Sequence, residues 1–250
     1  MLLALDVGNT NITAAVYRGA ERLVTWRFET LRFATPQALS DNLLPILAEN
    51  APTEIAIASV VPPLEEALRL CCERFLGVTP FFVRSEIEAG IRLHYSPSAS
   101  LGVDRLCNVA GCLERYGAPA IVIDFGTATK LEAIAENGDY LGGAILPGIG
   151  VSIEALFSRA ARLFEVEWKI PERAIGQSSA EALQSGFVHG FAGQAEYLVQ
   201  KFREEMGCRA QVIATGGHAP QIAPACPSID VLDPFLTLDG LRCLYARQKG

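Results

Sequence analysis

The 250-residue chain has no basic run and no interleaving of aromatic with basic side chains, and its net charge is −7. Both absences argue against nucleic acid and anionic membranes as partners. No apolar run approaches the length of a bilayer span. Met1 leads directly into a strand-like stretch without a charged leader or a cleavage site, so no signal peptide is expected. Histidine is scarce: His94, His189 and His218 show no H-E-x-x-H spacing, and no zinc site is expected. The seven cysteines, Cys71, Cys72, Cys107, Cys112, Cys208, Cys226 and Cys243, form no C-x-x-C. Their odd number suits reduced, buried thiols in a cytoplasm. There is no G-x-x-x-x-G-K-[ST] loop and no G-x-G-x-x-G after a strand, which disfavours P-loop and dinucleotide enzymes.

What is present is a repeat. Leu2 to Thr10 reads LLALDVGNT, and Ala120 to Thr129 reads AIVIDFGTAT. Each is a short apolar run, then Asp, one apolar residue, Gly, and hydroxyl or amide residues. Each then re-enters an apolar stretch, Ile12 to Tyr17 and Leu131 to Ala135. An apolar run bounded by a Gly turn reads as a buried strand, and strand–turn–strand as a hairpin with Asp at its mouth. Gly8 and Gly126 permit positive φ and leave no Cβ in the way of a ligand. The turn N–H groups, with Asn9, Thr10, Thr127 and Thr129, suit phosphate oxygens. Asp6 and Asp124 suit a cation beside them. Asp and Gly are also common in ordinary β-turns; two copies, one in each half of the chain, favour the phosphate cradle.

The rest of the first half reads as a strand over Leu23–Glu29, a helix over Pro36–Glu49, a strand over Glu54–Val61, a helix from Pro62-Pro63 to about Phe75, and a strand over Thr79–Val83. That β-β-β-α-β-α-β order predicts a mixed sheet covered by helices. After a polar loop, Leu106, Val109, Ala110 and Leu113 predict an amphipathic helix over Asp104–Arg115. Asp104 and Arg105 lie on its first turn, where an Asp either complements the helix dipole or faces a ligand that Gly102 admits. The second half opens around Tyr116–Pro119. Asn137-Gly138 signals a type I′ turn. Four glycines within Tyr140–Gly150 mark close backbone approach. Helices are expected over Ser152–Phe164, Ser179–Glu205 and Leu236–Arg247, with a strand over Ala210–Ala214 ending in Thr215-Gly216-Gly217. Gly186 and Gly190 offer the long helix a self-association face. The domains expected are 1–117 and 118–250, the last helix packing back on the first.

Two phosphate-type turns, a Gly-Gly turn and an Asp–Arg pair suggest nucleotide-dependent phosphoryl transfer. Taken in order, Asp6-Val7-Gly8-Asn9-Thr10, Ser59–Leu64, Gly102-Val103-Asp104-Arg105, Asp124–Thr129, Gly142–Gly148, Thr215-Gly216-Gly217 and Leu236–Leu241 resemble type III pantothenate kinases over nearly the whole chain. The resemblance implies an α/β fold of two ribonuclease-H-like domains, with mixed sheets, flanking helices and an ATP cleft between them. It implies a homodimer that phosphorylates pantothenate on the way to coenzyme A. It implies that Asp6, Val7, Gly8, Asn9, Thr10, Asn11, Ile12 and Thr13 hold ATP phosphates and Mg2+, and that Thr127 contacts ATP. Asp104 would be the general base. Tyr95 and Gly102 to Arg105 would line the pantothenate pocket. Asp124 would bind a monovalent cation, K+ or NH4+. Gly176-Gln177-Ser178-Ser179 stands where the family usually has a Thr reaching the partner subunit's substrate; Ser179 keeps the hydroxyl. Lys130 stands where Thr is also common; either its charge acts near the phosphates or it is a solvated strand residue, and the second reading is favoured. The rivals are a kinase or phosphatase of the same superfamily acting on sugar, acetate or polyphosphate, and a regulatory homologue that binds nucleotide without turnover. Sugar kinases of the repressor-related class tend to D-x-G-G-T-K, whereas this chain has Asn9 at the second Gly. Intact Asp6, Asp104 and Asp124 weigh against lost catalysis.

Overall fold

In the computed structural model, residues 1–47, 50–87, 89–160 and 166–249 are described. The chain divides into two compact units, one of Met1–Ile91, Tyr95–Arg115 and Phe235–Gly250, the other of Arg92–His94 and Tyr116–Pro234.

The first unit is built on strands β1 (Leu2–Val7), β2 (Asn11–Arg18), β3 (Glu21–Glu29), β4 (Glu54–Ser59) and β5 (Phe81–Phe82), with helices α1 (Pro36–Leu47), α2 (Pro62–Cys71) and α3 (Val103–Arg115). The second has β6 (Ala120–Phe125), β7 (Ala128–Ile134), β8 (Tyr140–Pro147), β9 (Gln211–Thr215) and β10 (Val231–Leu232), with helices α4 (Ile149–Arg159), α5 (Ser179–Met206) and α6 (Ala219–Ile222). The closing helix α7 (Leu236–Lys249) belongs to the first unit and packs on α3 and β1. Each unit holds one five-stranded sheet, in the orders β3-β2-β1-β4-β5 and β8-β7-β6-β9-β10. In each, the first three strands pair antiparallel and the last two join parallel. The repeated stretch is therefore the middle strand of each sheet. Strands covered on both faces read as continuous apolar runs, and Leu3, Leu5, Ile121 and Ile123 are fully buried.

Several local expectations shift. The strand expected over Thr79–Val83 is only Phe81–Phe82, and α2 passes into a π-helical turn over Cys72–Leu76 that stops at Gly77, φ 67°. The fourth helix starts earlier than expected, at Ile149, and ends at Arg159; its expected continuation over 161–164, like the end of the helix over Pro36–Glu49, lies outside the described residues. The β7–β8 turn is not type I′, which needs positive φ at both central residues. Among the described residues no non-glycine has positive φ, and only Gly138, φ 84°, adopts it there. The Gly138 N–H donates to the Ala135 carbonyl at 2.8 Å, so Glu136 and Asn137 turn right-handed and Gly138 absorbs the reversal. The long helix α5 begins on a variant of the capping box in which the glutamate reaches one residue beyond the N-cap. Ser178 Oγ accepts from the Glu181 N–H at 3.2 Å, and Glu181 Oε2 accepts from the Gln177 N–H at 2.7 Å. All seven cysteines are free thiols. Among the described residues no helix is long and apolar enough to cross a membrane.

Candidate functional site

The turn after β1 is narrow for a steric reason. The Gly8 N–H donates to the Asn11 carbonyl at 3.0 Å, and a Cβ on Gly8 would stand 3.1 Å from that same oxygen. Gly8 does not have positive φ, and neither does Gly126. The glycines are required for space; the left-handed freedom expected of them is not used. The end of β3 braces the turn, with Thr30 Oγ1 donating to the Gly8 carbonyl at 2.7 Å and the Thr30 N–H donating to the Thr10 carbonyl at 2.9 Å. Asn9 and Thr10 are exposed, and Asp6 is half-buried beside them. Val7 and Ile12 turn into the core at 0% and 1% exposure, so only their backbone is available to a ligand. Thr13 is the cross-strand partner of Asp6 and shares its face of the sheet. Asn11, half-buried, opens β2.

The start of α3 forms a second cluster in the same unit. The Gly102 carbonyl accepts from the N–H groups of Arg105 and Leu106, at 3.0 and 3.2 Å, and so opens the helix. Asp104 Oδ1 accepts from the Arg105 N–H at 2.9 Å and lies over Gly102, where an added Cβ would come within 2.5 Å of it. Gly102 thus makes room for a carboxylate of the chain itself. Arg105 is 4% exposed; its Nη1 donates to the Tyr95 hydroxyl at 3.2 Å, and its guanidinium carbon stands 5.2 Å from the Tyr95 ring centre. Tyr95, Gly102, Asp104 and Arg105 are therefore brought together, while Val103 is buried in the core at 7% exposure. Cys107, one turn further on and fully buried, was not among the expected site residues. Burial pushes its thiol well above the ordinary range, and the nearby carboxylates of Asp6 and then Asp104 push it further. Those two carboxylates thus act on one buried thiol.

In the second unit Thr127 is exposed at the tip of the β6–β7 turn, where the Gly126 N–H donates to the Ala128 carbonyl at 3.2 Å. Two of the expected backbone-approach segments close on this turn. A Cβ on Gly148 would fall 2.0 Å from the Thr127 carbonyl oxygen. One on Gly216, φ 93°, would fall 2.5 Å from Asp124 Oδ1. The close approach is made by the chain to itself. Asp124 is 8% exposed, and Lys130 Nζ sits 2.8 Å from its Oδ2, the two side chains being 11% and 13% exposed. The solvated Lys130 expected from the sequence is therefore overturned. The signal was available in the register, since a reversal centred on Thr127, with Phe125 opposite Thr129, sets position 130 directly across from 124. Ser179 is the first residue of α5 and is exposed.

Oxygen donors at Asp6 and its turn suit a hard cation such as Mg2+, which needs only one or two protein carboxylates when phosphates and water complete its shell. Among the described residues no cluster of three or more His, Cys, Asp or Glu forms a self-sufficient metal cage.

Two five-stranded mixed sheets with flanking helices define the actin and sugar-kinase class of fold. A ROK family protein from Streptococcus pneumoniae, solved with sucrose, is similar at a TM-score of 0.56 and 12% identity, over 99% of this chain and 98% of that one. The activator of 2-hydroxyisocaproyl-CoA dehydratase from Clostridium difficile, solved with ADPNP, is similar at a TM-score of 0.51 and 13% identity, over 99% and 94%. Within that class, residues 2–201 match the family model of type III pantothenate kinase. The type III pantothenate kinase of Moorella thermoacetica is 42% identical over 99% of both chains, and that of Listeria monocytogenes 41% identical over 100% of this chain and 98% of its own. The chain belongs to the type III pantothenate kinase family, and it is a kinase.

Proposed function

We propose that the chain transfers the γ-phosphoryl group of ATP to the primary hydroxyl of pantothenate, the first step towards coenzyme A, with Asp104 as general base. The observation that carries the assignment of the base is the Asp104 carboxylate held over Gly102 beside the buried Arg105 and its half-buried partner Tyr95, in the unit that also carries the Asp6 turn. The turn from Asp6 to Thr13 cradles the phosphates, through backbone groups at Val7 and Ile12 and through side chains at Asn9 and Thr10. Thr127 makes a further ATP contact. Asp6 would hold the magnesium that ATP carries on its phosphates, and the ion would supply neutralisation of the charge that develops there. Tyr95 and Gly102–Arg105 line the pantothenate pocket and hold its hydroxyl toward Asp104. Phosphoryl transfer is loose, so the alcohol need not be deprotonated before attack; a carboxylate that takes the proton late suffices. A potassium or ammonium ion at Asp124, also implied by the resemblance, would meet the Lys130 ammonium on the same carboxylate. Seven free thiols suit a reducing cytoplasm.

The test is a coupled assay with Mg-ATP. ADP release is expected only when pantothenate is present, with phosphopantothenate formed in equal amount by mass spectrometry. A protein that consumes no ATP with pantothenate in either potassium or ammonium salts overturns the assignment. ATP binding without turnover would instead favour the regulatory rival.

We infer further that α5 pairs with its counterpart in a second copy, bringing Ser179 to the partner's substrate. Gly186, Gly190 and Gly193 lie exposed along one side of α5, and a Cβ on any of them would meet nothing within 4 Å. A backbone-flat face permits close helix approach. Sedimentation velocity should give a dimer for the parent protein and a monomer for Gly190→Arg. A parent protein that sediments as a monomer at micromolar concentration removes the dimer.

A further inference from the structure

The two copies of the hairpin differ at one position that matters electrostatically. In the first, the residue directly across from the strand-end Asp is Thr13; in the second it is Lys130. Cross-strand partners project from the same face of a sheet. Asp6 therefore faces a hydroxyl, and Asp124 faces an ammonium that has closed to 2.8 Å on Oδ2. The other carboxylate oxygen is also enclosed. Asp124 Oδ1 lies where a Cβ on Gly126 would come within 3.2 Å and one on Gly216 within 2.5 Å, so it fills a slot between two glycine backbones. Both side chains of the ion pair are nearly out of water, at 11% and 13% exposure.

We propose that the Lys130 ammonium occupies, as a built-in cation, the place on Asp124 where a free monovalent ion would otherwise bind, so that this chain's kinase reaction needs neither potassium nor ammonium. The inference rests on the kinase reading above and adds the source of its monovalent charge. A lysine head group is a compact, strongly hydrated point charge and is itself a substituted ammonium ion, so it can supply the charge of the ion it replaces. It is tethered one strand away, so no ion has to be gathered from solution to neutralise the carboxylate, and the local concentration is fixed by the fold. A potassium ion would have to displace a partner that cannot diffuse away. It would also leave a lysine charge nearly buried without its counter-charge, which is strongly unfavourable. Residues that already neutralise one another do not fit an added cation.

The experiment compares the parent protein with Lys130→Thr, which gives the second hairpin the residue of the first. Turnover of Mg-ATP and pantothenate and the melting temperature are both measured in potassium, ammonium and choline chloride at matched ionic strength. The parent is expected to turn over within about twofold across the three salts and to melt at the same temperature in potassium as in choline. Lys130→Thr is expected to lose about tenfold or more of its kcat in choline. It should recover that loss in potassium or ammonium and melt higher in potassium than in choline. Lys130→Arg, which keeps a cation on the carboxylate, should stay independent of potassium and serves if the Thr variant folds poorly. A parent protein stimulated about tenfold by potassium overturns the proposal. So does a Lys130→Thr enzyme that loses ATP affinity, seen as a raised KM, with no rescue by either ion; that result would assign Lys130 to the phosphates. If the parent makes no phosphopantothenate in any salt, the kinase reading falls, and the melting comparison still decides whether Asp124 takes potassium.

Discussion

Asp104→Asn is expected to lower kcat for pantothenate phosphorylation by about a hundredfold or more, within the range for loss of a general base, with little change in the KM for either substrate. The substitution is close to isosteric. The Asn carbonyl oxygen can still accept from the Arg105 N–H, as Asp104 Oδ1 does at 2.9 Å, so the first turn of α3 keeps its bond and Gly102 keeps its neighbour. What is lost is the carboxylate's capacity to take a proton. No nearby group takes over that task. Cys107 lies close enough to feel both Asp6 and Asp104, but burial and then those carboxylates hold its thiol well above the ordinary range. It therefore stays protonated in neutral solution and cannot act as a base. An unchanged melting temperature with a collapsed kcat is the expected pair of readings. A fully active Asp104→Asn enzyme removes Asp104 as the base and leaves the kinase assignment standing, because the family match does not depend on it.

Much of this was legible in the chain itself, and what was not has identifiable causes. The doubled strand–Asp–Gly–hairpin could be read because apolar runs ending in glycine carry a local signal, and it became the central strand of both sheets. The neighbours of the glycines could not be read. Sequence marks Gly148 and Gly216 as places where something comes close. Only the fold shows that the approaching atoms belong to Thr127, Phe125 and Asp124 of the same chain. Gly138 was expected to share a mirror-image turn with Asn137, yet one positive φ suffices, since the loop has five residues and distributes the reversal. Lys130 was misjudged because a lone lysine in a strand usually points to water. Its partner, six residues away in sequence, becomes adjacent only through antiparallel register. The capping role of Ser178 follows from a local pattern, Ser-x-x-Glu, that could have been named in advance and that separates it from its neighbour Ser179.

Gly240→Ala is expected to be the most damaging single-methyl change to stability, although alanine in a helix normally gains about 0.5–1 kcal/mol over glycine. The sign reverses because α3 and α7 cross with their backbones in contact. A Cβ on Gly240 would stand 1.8 Å from the Cys107 carbonyl oxygen and 2.9 Å from the Gly111 nitrogen, against 3.4–4 Å for ordinary contact. One on Gly111 would meet the Leu236 carbonyl at 2.4 Å. These neighbours are main chain, so no rotamer change relieves the clash and the helices must move apart. Polar links hold them in place. Thr237 Oγ1 donates to Asn108 Oδ1 at 2.7 Å across the crossing. Asp239, one residue before Gly240, accepts from Tyr17 at 2.6 Å and from Arg22 at 2.7 Å, and also pairs with Arg115. Overpacking against such constraints costs roughly 3 kcal/mol or more, which for a chain of this size lowers the melting temperature by roughly 6–12 °C. The same displacement reaches the site, because α3 begins with the residues that set Asp104 over Gly102. Gly240→Ala protein should therefore lose kcat below its melting temperature as well. A melting temperature equal to that of the parent protein would mean that the crossing yields without resistance, and α7 would then play no part in positioning the base.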